Sequence, residues 1–318
     1  MKILVTGGAG FIGSHLVDVL LKDGHQVVCI DNFHDFYSIE IKNSNIAFAM
    51  KNSSYELIKA DINSINDYES QLGRVDVIIH LAARAGIRPS IENAQEYYHT
   101  NVKGTVELLE FAKRTNVSKF IYASSSSVYG INENTPWNVD DMNLLPISPY
   151  AASKIAGEKA SYTYNHLYDI QFIAFRFFTV YGPRQRPDLA IHKFVRLIDG
   201  GEKIHVYGDG STSRDYTYID DIVQGIVSGI NFEPETNFSI FNLGNNRTVK
   251  LSELIDNIED ALGKKAIKEF KEEQPGDVPV TSANIEKTIR CLNYQPNTPI
   301  EKGIVEFVKW YKTQYKLH

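Results

Sequence analysis

Short apolar runs punctuate the first half of the chain at residues 2–6 (KILVT), 26–30 (QVVCI), 75–79 (VDVII), 118–123 (SKFIYA) and 171–176 (QFIAFR). Each is rich in β-branched or aromatic residues and shows little polar alternation. That is the pattern of strands covered on both faces, and hence of a parallel sheet. Longer segments with helical spacing lie between them, notably at 11–23, 94–115 and 149–168. Strand and helix therefore alternate, which predicts an α/β fold built on a doubly wound parallel (Rossmann-type) sheet. Past about residue 179 the texture changes: YGPRQRPD and YGDGSTSRDY are turn-rich and basic, while SELIDNIEDAL and IEKGIVEFVKWYKTQY have amphipathic helical spacing. We expect one doubly wound domain over 1–178, with returning segments from about 215–245. A smaller α/β cap over 179–318 should cover the sheet's carboxyl edge.

Composition narrows the function classes. The chain has 318 residues, enough for one large α/β unit or two modest domains, and its 43% hydrophobic and 23% charged residues are ordinary for a globular chain. A formal net charge of -6 argues against non-specific nucleic-acid binding, so any phosphate must be held locally. Cys29 and Cys291 lie far apart without metal-ligand spacing; neither a disulfide framework nor a metal site is expected, and a reducing cytosol fits. The opening MKILVTGG enters an apolar strand after one lysine and meets glycines at once. That run is too short for a secretory signal or a membrane span, so the expectation is a soluble, cytoplasmic protein without a membrane partner.

The segment ILVTGGAGFIGSHLVDVLLKDGHQVVCIDN reads strand, glycine turn, helix, strand, acid. Gly8, Gly10 and Gly13 satisfy G-x-G-x-x-G, and Gly7 belongs to the related T-G-x-x-G-x-x-G spacing. Such glycines permit a tight turn, close approach of backbone to a pyrophosphate and close helix packing, with the phosphates at the helix N-terminus. Asp31 ends the second strand, 18 residues after Gly13, and completes the dinucleotide pattern. A carboxylate there accepts from an adenosine 2′-hydroxyl and repels a 2′-phosphate, and no arginine occurs in the following NFHDFYS, so NAD is favoured over NADP. Asp61, in KADIN, could bond the adenine edge or cap a helix. His80 in HLAA reads as a packed strand-end histidine, with the small residues after it suited to cofactor contact.

Two further patches carry chemistry: ASSSSVYG at 123–130 and SPYAASK at 148–154. Tyr150 and Lys154 stand four apart and project from one helix face. A neighbouring ammonium and a cationic nicotinamide both favour phenolate, so the tyrosine pKa is expected to fall toward neutrality and make it a general base. Ser125 could hydrogen-bond the same substrate hydroxyl. The bland alternative is a helix start after Pro149 and a polar strand end.

Together with the glycine loop, these patches resemble the extended short-chain dehydrogenase/reductase family. The resemblance runs over nearly the whole chain: TGGAGFIG, Asp31, Asp61, HLAA, Asn101, ASSSSVYG, SPYAASK and RDYTYIDD. It implies catalytic roles for Ser125, Tyr150 and Lys154, with Lys154 also holding the nicotinamide ribose. The NAD site it implies takes in Gly7, Gly10, Phe11, Ile12, Gly13, Asp31, Asn32, Asp61, Ile62, Leu81, Ala82, Ala83, Asn101 and Phe178, with Tyr150 and Lys154. It further implies a homodimer through the helices at 94–115 and 149–168.

Dehydratases of the family carry an Asp-Glu pair where this chain has Ser126 and Ser127, and the related decarboxylases usually carry glutamate at Ser127. The pattern left is that of a nucleotide-sugar 4-epimerase, an isomerase. Arg214 matches a phosphate-binding arginine of sugar epimerases and Arg88 is a second candidate, with a solvated surface arginine as the alternative for each; Asp277 bonds a ribose diol or caps a turn, and Ser125, Ser126, Thr179 and Arg186 complete the expected UDP-sugar site. Gln274 stands before PGD (275–277), where many epimerases have arginine. The segment RFFTVYGPRQRPDLAIHKF (176–194) resembles that of UDP-glucuronate 4-epimerases more than that of neutral-sugar epimerases, with Arg186 first and Arg184 second as carboxylate ligands. UDP-glucuronate and UDP-galacturonate are therefore the expected pair. The alternatives are that Arg184 and Arg186 brace the loop against Asp188, or that the substrate is UDP-glucose or UDP-N-acetylglucosamine. A nucleotide-sugar ketoreductase and a non-catalytic nucleotide-binding regulator are the readings from other classes; Asp31 speaks against the first and the serine, tyrosine and lysine set against the second.

Overall fold

The structure is a computed structural model and describes residues 1–233, 236–272 and 278–315. Seven parallel strands form the main sheet: β1 (Lys2–Thr6), β2 (Gln26–Asp31), β3 (Tyr55–Lys59), β4 (Val77–His80), β5 (Lys119–Ser125), β6 (Gln171–Phe177) and β10 (Phe238–Leu243). Their order is β10-β6-β5-β4-β1-β2-β3. The apolar runs become the central strands, buried along nearly their whole length, as two-sided helix cover requires. Strand order reverses beside β1, whose neighbours are β2 and β4. In open α/β sheets the ligand crevice lies at that switch point, outside the carboxyl ends of the strands.

The remaining strands build two small sheets. β7 (Thr179–Tyr181) pairs parallel with β9 (Ser213–Tyr218), which pairs antiparallel with β11 (Thr248–Lys250). β8 (Lys203–Tyr207) pairs parallel with β12 (Ile267–Lys271). Their helices, Ala190–Asp199, Leu251–Leu262 and Ile300–Tyr315, pack apolar faces into one core cluster continuous with β1, β5 and β6. Among the described residues no helix is long and apolar enough to cross a membrane.

Two helices fall within a residue of the limits the sequence suggests: Phe11–Lys22 for 11–23, and Pro149–Tyr168 for 149–168. In the latter, Ser148 caps by accepting from the amide of Ala151 at 3.2 Å, and Pro149 opens the first turn. The segment 94–115 is not one helix. It runs as Ala94–Tyr98, a π-turn over His99–Lys103, and Gly104–Thr115. Asn101 sits inside the π-turn with a fully bonded side chain, and Gly104 lies where a Cβ would come within 2.5 Å of Ile62. Helical periodicity carries no sign of such a one-residue insertion.

Candidate active site

The site is built on the ends of β1, β2, β4 and β5. Gly7, at φ +73°, follows β1, and a Cβ there would lie 2.8 Å from the amide nitrogen of Ala82; a Cβ on Gly13 would lie 2.3 Å from the Gly7 carbonyl oxygen. No side chain fits either place, so the first turn of Phe11–Lys22 is brought close to β1 with its amide groups facing the crevice. Asp31 is buried at the end of β2. Its carboxylate accepts from the amides of Ala9 (3.2 Å) and Phe33 (2.8 Å) and meets Lys42 Nζ at 3.3 Å. The cradle therefore has the parts a dinucleotide needs: cleared backbone for the pyrophosphate and a fixed carboxylate for a ribose diol.

Asp61 caps the turn Ile62–Asp67, accepting from the Asn63 amide at 2.8 Å, and its other oxygen accepts from Asn32 Nδ2 at 2.8 Å. These bonds hold its carboxyl below the usual range against a partial burial that works the other way. His80 is a packed residue. It bonds Thr6 (2.7 Å) and Thr105 (3.0 Å), and burial pushes its pKa down to about 3, so it stays neutral.

Ser125, Tyr150 and Lys154 meet where β5 ends against the helix Pro149–Tyr168. Lys154 Nζ donates to the Ala123 carbonyl at 2.8 Å and lies 6.0 Å from the centre of the Tyr150 ring. Ser125 Oγ accepts from Ser127 Oγ at 2.8 Å. Burial lowers the Lys154 pKa to about 7, with the Glu158 carboxylate opposing it. Burial raises Tyr150 above its ordinary value, while the hydrogen bond with Ser125 and the charge of Arg186 pull it down. Without a cationic nicotinamide beside it, Tyr150 therefore does not show the expected fall, and the groups that oppose its burial are Ser125 and Arg186.

All of these groups open on one cavity of about 810 Å3. Its walls include Gly7, Gly10, Phe11, Ile12 and Gly13; Asp31, Asn32, Asp61 and Ile62; Leu81, Ala82 and Ala83; Ser125, Ser126, Tyr150 and Lys154; and Phe178, Thr179, Arg186 and Arg214. Two expected residues stand elsewhere. Asn101 is behind the wall, bonding the Arg84 amide (2.7 Å), the Arg84 carbonyl (2.9 Å) and Ser153 Oγ (2.9 Å), so it fixes the loop after β4 and touches no ligand space. The Arg88 guanidinium lies over the Tyr207 ring at 5.2 Å, outside the wall. Asp277, like Gln274, falls outside the described residues.

The loop after β7 separates its two arginines. Arg184, at φ +63°, turns out of the cavity to Asp18 (2.8 Å), whereas Arg186 faces in and makes a two-toothed pair with Asp188 at 3.0 and 2.7 Å. Arg184 is therefore removed as a carboxylate ligand, because the left-handed backbone sends its side chain to the opposite side.

Dinucleotide cradle, serine, tyrosine and lysine now share one cavity. The profile of the NAD dependent epimerase/dehydratase family matches residues 3–244. The chain belongs to this family. As a member it is an NAD-dependent enzyme. It is 40% identical over 334 residues to Protein CapI of Staphylococcus aureus, covering 99% of this chain and 100% of that protein. It is 38% identical over 317 residues to the UDP-glucuronate 4-epimerase of Thermodesulfobacterium geofontis, covering 99% and 97%. The structure of a UDP-glucuronic acid 4-epimerase from Bacillus cereus, in complex with UDP-glucuronic acid and NAD, superposes with a TM-score of 0.93 at 37% identity, covering 99% and 100%.

Sequence reasoning missed several members of this epimerase-family site. Lys42 reaches Asp31 from 11 positions on, and Arg84 bridges His34 (2.6 Å) and Glu96 (2.6 Å) at the cavity wall. Glu158 and Arg176 form a buried pair under the catalytic helix. The i, i+4 spacing of Lys154 and Glu158 was the one available signal.

Proposed function

We propose that this protein is an NAD-dependent 4-epimerase that interconverts UDP-glucuronate and UDP-galacturonate. The observation that carries the reading is the inward Arg186 fork, in one cavity with Thr179, Ser126 and the Ser125–Tyr150–Lys154 group. When bound, NAD supplies a hydride acceptor at the sugar's carbon 4 and, once reduced, the donor that returns the hydride. Tyr150 takes the proton of the 4-hydroxyl and gives it back, with Ser125 sharing that hydrogen bond. Lys154, fixed by the Ala123 carbonyl, orients the ribose next to the tyrosine. Ser126 and Ser127 supply no acid–base pair for removing water across carbons 5 and 6, which favours epimerisation over dehydration.

The 4-keto form of a glucuronate is a β-keto acid, which loses carbon dioxide when its carboxylate bond aligns with the ketone π system. A two-toothed arginine can hold the carboxylate out of that alignment. Arg214 serves the diphosphate in this reading, its guanidinium already steadied by the Ser213 carbonyl at 3.0 Å. The cap over 179–318 then holds the nucleotide sugar and the unit 1–178, with its returns at 215–245, holds NAD. We further propose a cytoplasmic homodimer joined through the helices of 94–115 and 149–168, where Tyr98, Tyr162 and Leu167 leave large apolar surfaces exposed.

The test is incubation with UDP-glucuronate without added cofactor or reductant, followed by proton NMR of the sugar. Conversion to UDP-galacturonate is expected, and denaturation should release NAD. A protein that ignores UDP-glucuronate and turns over UDP-glucose would replace this reading with the neutral-sugar one.

A further inference from the structure

Strands β2 and β4 stand on either side of β1. A side-chain bridge between the segments that leave them therefore passes over the carboxyl end of β1, where the glycine turn and the crevice lie. The structure holds such a bridge. Arg84, four residues beyond β4, sends its guanidinium to His34, three residues beyond β2: Nη2 meets Nε2 at 2.6 Å and Nη1 meets Nδ1 at 3.2 Å. On its other side Nη2 pairs with Glu96 of the helix Ala94–Tyr98 at 2.6 Å. All three residues line the cavity, together with Asp31, Asn32 and Asp61.

Both arms are anchored behind the junction. The Arg84 amide and carbonyl are held by the Asn101 side chain, while the His34 amide donates to Asn32 Oδ1 at 3.0 Å and Asn32 Nδ2 donates in turn to Asp61. The His34 side chain is 38% exposed and that of Arg84 17%, so the junction lies at the mouth of the crevice and not in its floor. It is also the link that gives first. Burial and the charges of Arg84 and Lys42 lower the His34 pKa, opposed by Asp35 and Glu96, so the ring is neutral at pH 7. A neutral imidazole has one lone pair in the ring plane, and the Phe36 amide already donates to Nδ1 at 3.0 Å. When the contact with His34 opens, Arg84 keeps its carboxylate partner. We propose that Arg84 is a cofactor-retaining residue: with His34 it forms a clasp across the mouth of the dinucleotide site, and the clasp must open for NAD to enter or leave. Asp31, which precedes His34 by three residues, puts the clasp at the adenosine end of that site.

This inference rests on the NAD site and not on the identity of the sugar, so it is tested without turnover. Loss of labelled NAD from the loaded full chain into excess unlabelled NAD gives the rate of release. Stopped-flow fluorescence of NAD-free protein mixed with NAD gives the rate of entry. A clasp gates both directions, whereas a side chain that only touches the ligand acts on release. Arg84→Ala should speed release about tenfold, the size of one hydrogen bond to a charged group, and should speed entry as well. His34→Ala removes the other arm at a more exposed position and should do the same. The double variant should exceed neither single one, since either loss already opens the clasp. Unchanged rates in both single variants overturn the proposal. Faster release with unchanged entry makes Arg84 a plain ligand contact and overturns it too, as do effects that add in the double variant, because the two side chains then act apart.

Discussion

Glu158→Gln removes one charge beneath the catalytic face and leaves every reacting group in place. Glu158 stands one helical turn beyond Lys154, with its side chain 2% exposed, and the Arg176 side chain it faces is also 2% exposed. Its carboxylate accepts from Ser124 Oγ at 2.5 Å and from Arg176 Nε and Nη2 at 3.0 and 2.9 Å. Ser124 lies between Ala123, whose carbonyl holds Lys154, and Ser125. Glutamine keeps the shape and one acceptor but leaves a buried guanidinium without its counter-ion, which costs about 3–5 kcal/mol. Against a typical stability of about 5–15 kcal/mol the variant stays folded at room temperature. Its melting temperature should drop on the order of 10 °C. The same charge opposes the burial that lowers Lys154 to about 7, so without it the lysine loses its proton at still lower pH. If Lys154 acts as a cation, the falling basic limb of kcat moves to lower pH, and the loss of rate is greater above neutrality than below. Thermal melts and kcat–pH profiles of wild type, Glu158→Gln and Glu158→Gln/Arg176→Met check this. The double variant should recover part of the stability, because removing the arginine as well leaves no uncompensated buried ion, but not the pH profile. A displaced melting point with an unmoved profile refutes the electrostatic link to Lys154, and an unmoved melting point refutes the burial argument itself.

Three further outcomes are expected. Tyr150→Phe should lower turnover by about 10²–10⁴-fold with NAD retention unchanged, measured by single-turnover assay and released NAD. Arg186→Ala should cost about ten- to a hundredfold more on UDP-glucuronate than on UDP-glucose and release some UDP-pentose by decarboxylation, read by chromatography. Asp215 is buried among amides of Asn245, Asn246 and Ala283, and burial pushes its pKa from 3.8 up to about 6. The folded state therefore holds that proton more tightly, so this residue's contribution to stability is fully present below 3.8 and is lost as pH rises through 6. The difference in melting temperature between wild type and Asp215→Asn should change in that window and be flat above it.

The parts legible in the sequence were those set by local rules. Buried strands declare themselves through unbroken apolar runs, and the Gly7–Gly13 turn through spacing that only close backbone packing requires. What stayed hidden was brought together by topology. Lys42 and Asp31, Arg176 and Glu158, and Arg84 and His34 are separated by stretches of chain that place no constraint on one another until the sheet forms. The break at His99–Lys103 escaped because one inserted residue shifts the periodicity by less than a sequence pattern can register. Arg184 and Arg186 look equivalent in RQRPD, and only the left-handed backbone at Arg184 parts them.

That parting bears on how an acid sugar would be distinguished. A guanidinium facing a cavity is costly to leave without an anion. Arg186 is not left so: Asp188 takes it with two bonds, and Phe36 supports its plane. A neutral sugar offers nothing to displace Asp188, so the pair persists and the cavity loses no compensation when such a ligand enters. A glucuronate carboxylate offers an equivalent anion, and exchanging one two-toothed pair for another is close to isoenergetic in its Coulomb part. Discrimination would then come less from the strength of the new pair than from geometry, that is, from whether a carboxylate on the sugar ring can reach the fork while the 4-hydroxyl stays on Tyr150. On this argument Asp188 is as much a part of the specificity as Arg186, because without it the unpaired arginine would draw in any anion.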